Sequence, residues 1–142
     1  LDSEESFFFT YGDGVGDVDI SATLKYHLSH GSLATMTAVH PPGRFGALSI
    51  DKDQTITSFY EKPRGDGDRV NGGFFVLSPK VIDFINDDST TWEQEPLMNL
   101  ANGGQLKAYF HDGFWQPMDT LRDKVLLENL WSNGKAPWRV WQ

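Results

Sequence analysis

A chain of 142 residues with 39% apolar side chains, 13% aromatics and charges of both signs is sized for one folded domain with a sizeable core, not for a disordered segment. Its net charge of −8 argues against DNA or RNA as the main partner, because affinity for a polyanion rests on neutralising many phosphates; a small phosphorylated ligand stays open. The lack of cysteine excludes thiolate metal sites, thiol nucleophiles and disulfides, and with no bilayer-length apolar run and no signal peptide the expectation is a soluble, cytoplasmic protein without a membrane partner.

The chain opens with an acidic lead into Phe7-Phe8-Phe9-Thr10-Tyr11. This unbroken aromatic and β-branched run predicts a strand buried on both faces, as in a parallel sheet covered by helices. Gly12-Asp13-Gly14 then breaks it with one carboxylate between two glycines, where the backbone turns sharply and a ligand has room to approach. Asp17-Val18-Asp19 supplies a helix entry; Ile20, Leu24, His27 and Leu28 recur at helical spacing until Gly31, which predicts a crossover helix. Residues 32–40 read as a strand returning to the sheet, stopped by Pro41-Pro42-Gly43. Residues 44–50 and 55–60, around the turn at 51–54, predict a β-hairpin, followed by a polar glycine-rich loop over 61–68.

Val70-Asn71-Gly72-Gly73-Phe74-Phe75-Val76-Leu77 is a second strongly apolar strand with glycines at one end. Pro79 predicts a helix through Asn86, and Thr90 or Thr91, with acids close behind, predicts another through Leu97 and Leu100 to Gly103. Short strands follow at 106–110 and 114–118. Thr120-Leu121-Arg122-Asp123 has the spacing of a capping box, starting a helix that Gly134 ends before a basic, tryptophan-rich tail.

Asp13 and Asp119 stand in the same way, each at the end of a predicted strand. Two converging acids are what Mg2+ wants, since this hard cation is usually held by one or two protein carboxylates plus substrate phosphates. Taken alone, Asp13 reads as a turn residue and Asp119 as an assistant to the Thr120 cap. Lys62, restricted by Pro63, is a point charge suited to one phosphate, and Glu61 beside it accepts hydrogen bonds from hydroxyls; the plain alternative is a solvated hairpin end. Gly46 and Gly72-Gly73 allow a ligand to lie on the backbone, or mark a bulge. Tyr11, Trp92 and Trp115 either stack on a ring or fill the core. The four histidines show no metal-site spacing, Asp13, Asp17 and Asp19 do not match a calcium loop, and neither a nucleophile elbow nor a phosphate-cradling glycine loop occurs.

Taken in order, Phe9-Thr10-Tyr11-Gly12-Asp13-Gly14-Val15, Pro41-Pro42-Gly43-Arg44-Phe45-Gly46, Glu61-Lys62-Pro63, Val70-Asn71-Gly72-Gly73-Phe74-Phe75, Thr91-Trp92-Glu93-Gln94-Glu95-Pro96-Leu97 and Phe114-Trp115-Gln116-Pro117-Met118-Asp119-Thr120 resemble the C-terminal part of the glucose-1-phosphate cytidylyltransferases, within the sugar nucleotidyltransferases. The resemblance implies an α/β fold: a mostly parallel, mixed Rossmann-like sheet flanked by helices, with a small β-hairpin sugar-binding subregion and the N-terminal half absent. It implies one domain fragment, in which 1–40 end the nucleotide-binding core, 41–119 hold the sugar-binding region and metal ligands, and 120–142 form a C-terminal helix and tail.

The implied reaction is cytidylyl transfer from CTP to α-D-glucose 1-phosphate, giving CDP-glucose and pyrophosphate for O-antigen and related polysaccharides. Asp13 and Asp119 correspond to the Mg2+ ligands, Lys62 to the lysine on the sugar phosphate and Glu61 to the acid on the sugar hydroxyls. Gly46, Asn71 and Gly72 correspond to the floor under the sugar, and Tyr11 to a residue beside the nucleotide. The family's opening Gly-Gly-x-Gly-Thr-Arg loop is not in this sequence, so catalysis by the chain alone is not expected. An unpaired inner strand edge makes a homo-oligomer the expected state. The competing expectation is a non-catalytic sugar-phosphate-binding or oligomerisation module whose tryptophan-rich tail docks a neighbour.

Overall fold

The computed structural model describes residues 5–43, 46–50, 52–61 and 69–141. In chain order the elements are β1 (Phe7–Thr10), β2 (Gly14–Gly16), α1 (Ile20–His30), β3 (Ala34–Val39), β4 (Gly46–Ile50), β5 (Ile56–Glu61), β6 (Val70–Leu77), a 3-10 turn (Pro79–Phe84), α2 (Glu95–Asn102), β7 (Leu106–His111), β8 (Trp115–Pro117) and α3 (Leu121–Ser132). Four strands form the main sheet in the order β1-β6-β3-β7, while β2 pairs with β8 and β4 with β5 in two small ribbons.

The α/β class with a mixed sheet and flanking helices is the one expected. Over these four strands the sheet is mixed and mostly parallel, as expected: β3 and β7 pair in parallel, and β6 alone is reversed, running antiparallel to both β1 and β3. Since β1 and β3 both oppose β6, they run parallel to each other, and α1 is the crossover between them. Asp19 caps α1 by accepting from Ala22 N at 2.8 Å, and Gly31 ends it at φ 68°, a left-handed conformation that costs glycine little. The Lys80–Asn86 helix is instead the short 3-10 turn, closed by Ser78 at its start. The Thr90–Thr91 helix start is also displaced: α2 begins at Glu95, after a turn through Gln94.

One face of the sheet carries the core. Ala34, Phe75 and Leu77 pack against Val81 of the 3-10 turn and Leu97 and Leu100 of α2, with Phe7, Met36, Trp92 and Leu106 around them. Side-chain alternation sends Phe8, Thr35, Val76 and Tyr109 to the other face, where α1 covers only one side. Tyr26 of α1 meets Tyr109 at a centroid distance of 5.8 Å, while Phe8 lies with Val18, Ile20 and Phe74 along an open apolar groove. The prediction of a first strand buried on both faces is therefore corrected: Phe8 is 50% and Phe9 39% exposed, because β1 has one sheet neighbour and no helix over Phe8 among the described residues. The tail folds back on its own chain, with Trp138 stacked on Phe114 at 5.4 Å and Trp141 against Trp131 at 6.5 Å.

Under α1 two histidines share one hydroxyl. Ser32 N–H donates to His30 Nδ1 at 2.9 Å, so neutral His30 carries its proton on Nε2 and gives it to Thr35 Oγ1 at 2.7 Å; that hydroxyl in turn donates to His27 Nδ1 at 2.9 Å. Burial is the main force holding both imidazoles below the ordinary 6.5, helped by His30 at His27 and by Lys107 at His30. A lowered folded pKa means that the unfolded chain takes up protons first on acidification, so stability is unaffected above about pH 6.5 and falls as pH drops below it. Urea midpoints should decline across that window. The double substitution His27→Gln/His30→Gln should flatten the decline; an equal decline in both proteins would refute the assignment.

Candidate functional site

The glycine pair of β6 is where the site begins. Pairing runs Asn71 with Ala38 and Phe75 with Met36, so residues 72–74 stand opposite Thr37 alone and β6 bulges there. A Cβ on Gly72 would fall 2.8 Å from Val39 Cγ1 and 3.0 Å from Thr37 O; one on Gly73, whose φ is +78°, would fall 2.8 Å from the Tyr11 ring. Bulge packing thus accounts for both glycines. It also turns Asn71 toward the end of β1: Gly73 N donates to Asn71 Oδ1 at 2.8 Å, and Asn71 Nδ2 donates to the Tyr11 hydroxyl at 3.1 Å. Burial, then a hydrogen bond to Glu93, pushes the Tyr11 phenol up to about 12, so it stays protonated at physiological pH.

Beyond Tyr11 the chain enters β2, whose pairing with β8 is too short and glycine-rich to be legible beforehand. This ribbon brings the two distant acids to one place. Gly14 pairs with Pro117, and the Asp13 carbonyl accepts from Met118 N at 2.7 Å, so Asp119 is the next residue along from Asp13's partner. Trp115 sits behind them, its indole donating to the Gly72 carbonyl at 2.9 Å. The predicted capping box forms: Thr120 Oγ1 accepts from Asp123 N at 3.2 Å and Asp123 Oδ2 from Thr120 N at 3.1 Å. Asp119 contributes its backbone N–H to the same Asp123 carboxylate, at 3.2 Å, while Gln116 Nε2 donates to Asp123 Oδ1 at 3.1 Å.

The structure therefore gathers Tyr11, Asp13, Asn71, Gly72 and Asp119 at one end of the sheet. Gly46 and Glu61 face each other on the opening rung of the β4–β5 hairpin. Lys62 lies outside the described residues. Among the described residues no group of three or more His, Asp or Glu is placed to hold a metal. Asp13 and Asp119, exposed residues flanking β2 and β8, are oxygen donors of the type that fits Mg2+, which keeps several waters and takes further ligands from phosphates. Around Tyr11 and Asn71 lies a wide cleft of about 580 Å³, lined also by Met36, Glu93, Leu97 and Leu106. Glu93 was not singled out from the sequence, where it reads as an acid near a helix start. No helix among the described residues is long and apolar enough to cross a membrane.

A cleft with apolar walls and a polar corner at one end of an α/β sheet is where ligand sites of this fold class usually lie. The chain belongs to the nucleotidyl transferase family, whose model matches residues 1–120. It is similar to the glucose-1-phosphate cytidylyltransferase of Salmonella typhi, with 65% identity over 139 residues, which is 98% of this chain and 54% of that protein. It also resembles a Bacillus subtilis protein named as a probable glucose-1-phosphate cytidylyltransferase, at 41% identity over 97% of this chain and 54% of that protein. The chain spans about half the length of these relatives. The crystal structure of HddC from Yersinia pseudotuberculosis shares the fold, with a TM-score of 0.60 and 24% identity, over 85% of this chain and 53% of that one. The resemblance read from the ordered motifs is thus borne out.

Proposed function

We propose that this chain is the sugar-phosphate-binding part of a Mg2+-dependent glucose-1-phosphate cytidylyltransferase, which transfers a cytidylyl group from CTP to α-D-glucose 1-phosphate and releases pyrophosphate. The observation that supports this reading is the β2–β8 ribbon, in which the Asp13 carbonyl accepts from Met118 N, so that the chain segments carrying Asp13 and Asp119 run together beyond the Tyr11 end of β1. The 65% identity to the Salmonella typhi protein supports the choice of nucleotide and sugar. The product, CDP-glucose, suits cytoplasmic supply of polysaccharide precursors such as those of O-antigen.

In this reaction a phosphate oxygen of the sugar attacks the α-phosphorus of the nucleotide, so two anions must approach. At an effective dielectric near ~20, each unit charge pair about 4 Å apart repels by about 4 kcal/mol. Asp13 and Asp119 would hold Mg2+, whose positive charge offsets that repulsion when bound. Lys62 adds a positive charge for the sugar phosphate, and Glu61, Asn71 and the backbone at Gly46 and Gly72 orient the sugar for in-line attack. No protein nucleophile is required, in keeping with a chain that has neither cysteine nor a serine elbow.

The intact protein carrying this chain should be assayed with CTP, UTP and dTTP, each with glucose 1-phosphate. CTP is expected to lead by about a hundredfold in kcat/KM, because a site built around one base's hydrogen-bond pattern leaves polar groups unpaired with another. Equal use of the three nucleotides would refute the cytidylyl assignment.

A further inference from the structure

The cleft has a polar corner that the motif-derived roles do not use in full. Asn71 has its Oδ1 committed to Gly73 N–H and one amide hydrogen committed to the Tyr11 hydroxyl, which leaves its second amide hydrogen for a ligand. Since that amide donates to the phenol oxygen, the phenol keeps its own proton to give, and the Glu93 carboxylate is the acceptor beside it. A carboxylate has two oxygens and about four acceptor sites, so Glu93, on the same cleft wall as the phenol, has acceptor capacity for an arriving hydroxyl. The corner therefore offers an arriving molecule one N–H donor and a carboxylate acceptor over a wall of Met36, Leu97 and Leu106. A hydroxyl on a sugar ring accepts and donates at once, and the ring's apolar face suits such a wall.

We infer that Glu93 is a further substrate-binding residue, accepting a hydrogen bond from a sugar hydroxyl that in turn accepts from the Asn71 amide, so that this corner discriminates the sugar from its deoxy analogue. The inference rests on the proposed hexose 1-phosphate ligand and deepens it: Glu61 is no longer the sole acid reading hydroxyls. Tyr11 serves as the positioning residue, holding Asn71 and Glu93 in register through its hydroxyl. The backbone constraint at Gly73 explains why the arrangement is rigid. Its N–H fixes which way the Asn71 amide faces, and the Tyr11 ring packs where a Gly73 side chain would otherwise stand.

The test is direct binding, by calorimetry, of glucose 1-phosphate and its 2-, 3-, 4- and 6-deoxy analogues to the intact protein carrying this chain, wild type and Glu93→Gln. The exposed position of Glu93 lets the variant fold, and an unchanged melting temperature checks it. Glu93→Gln is expected to weaken glucose 1-phosphate by about tenfold to a hundredfold, the usual loss for a hydrogen bond to a charged group. One deoxy analogue should bind the wild type correspondingly less well and lose no more than about twofold on mutation, as a shared contact requires. Equal loss for the parent sugar and all four analogues, or no loss for any, would overturn the role of Glu93 while leaving the glucose 1-phosphate reading intact. Wild-type binding of mannose or galactose 1-phosphate in place of the glucose compound would sink the gluco assignment alone, and the same comparison made with the deoxy forms of that sugar would still judge Glu93. Failure of the wild type to bind any hexose 1-phosphate would overturn both.

Discussion

The substitution Asp119→Asn, made in the intact protein, is expected to cut turnover by about a hundredfold to a thousandfold while leaving stability within about 0.5 kcal/mol of wild type. The kinetic figure follows from charge. Removing one carboxylate from the pair proposed to hold a divalent cation forfeits attraction worth about 4 kcal/mol for each unit charge pair about 4 Å apart at an effective dielectric of about 20, and even one such unit is about three powers of ten in rate. Because Asp119 is exposed, solvent screening moves the expectation toward the lower end. The structural figure follows from the cap: the Asp119 backbone N–H donates to Asp123 Oδ2, and asparagine keeps that group. Mg2+ affinity by calorimetry should fall along with kcat, which separates a lost ligand from a displaced substrate. Asp123→Asn should behave in the opposite sense, because this 7%-exposed carboxylate receives Asp119 N, Thr120 N and Gln116 Nε2 and its loss loosens α3 before it touches chemistry. An Asp119→Asn enzyme with most of its turnover and unchanged Mg2+ affinity would remove the shared-cation role.

That the sequence singles out Asp13 and Asp119 and passes over Glu93 has a physical reason. Each of the first two follows an aromatic strand and interrupts it with a charge, and an acid where a strand ends has few structural duties. Glu93 sits among Thr91, Gln94 and Glu95, where an acid has an ordinary explanation in the helix macrodipole; only the tertiary fold shows that it shares a cleft with Tyr11. The same division holds for the fold. Phe7-Phe8-Phe9 and Phe74-Phe75-Val76 announce strands because aromatic and β-branched side chains suit a pleated surface. Their periodicity, however, says nothing of which way a neighbour runs, and β6 proved antiparallel to both of its partners. Nor does a strand's composition reveal how many neighbours it has, which is why Phe8 could look buried and be half exposed. The caps at Asp19 and Thr120 were readable at single-residue resolution because they depend on chemistry within four positions. The three-residue β2 has no such local signature, and it is the element that joins the two acids.

Among the described residues, Phe75→Ala should be the most damaging single truncation, costing about 3–5 kcal/mol in unfolding free energy. Phe75 is 1% exposed and lies at ring-centroid distances of 5.8 Å from Phe9, 5.6 Å from Tyr11 and 5.8 Å from Trp92. Removing the ring opens a cavity under three aromatics at once. Phe9 and Tyr11 belong to a chain segment with one sheet neighbour, and they would lose their main support before the helices do. Against a typical total of about 5–15 kcal/mol, a loss of that size is enough to unfold a marginal domain, so urea midpoints are best compared at low temperature. Phe75→Leu keeps most of the volume and should cost less than about 1.5 kcal/mol. Its more informative effect is on the site: with a smaller neighbour beneath it, the Tyr11 ring has freedom to tilt away from Asn71, and affinity for the sugar phosphate should fall although no binding group has changed. A Phe75→Ala protein destabilised by less than about 1 kcal/mol would mean that the aromatic layer joining core to site is not packed as described. The rigidity ascribed to the Tyr11 corner would then need another source.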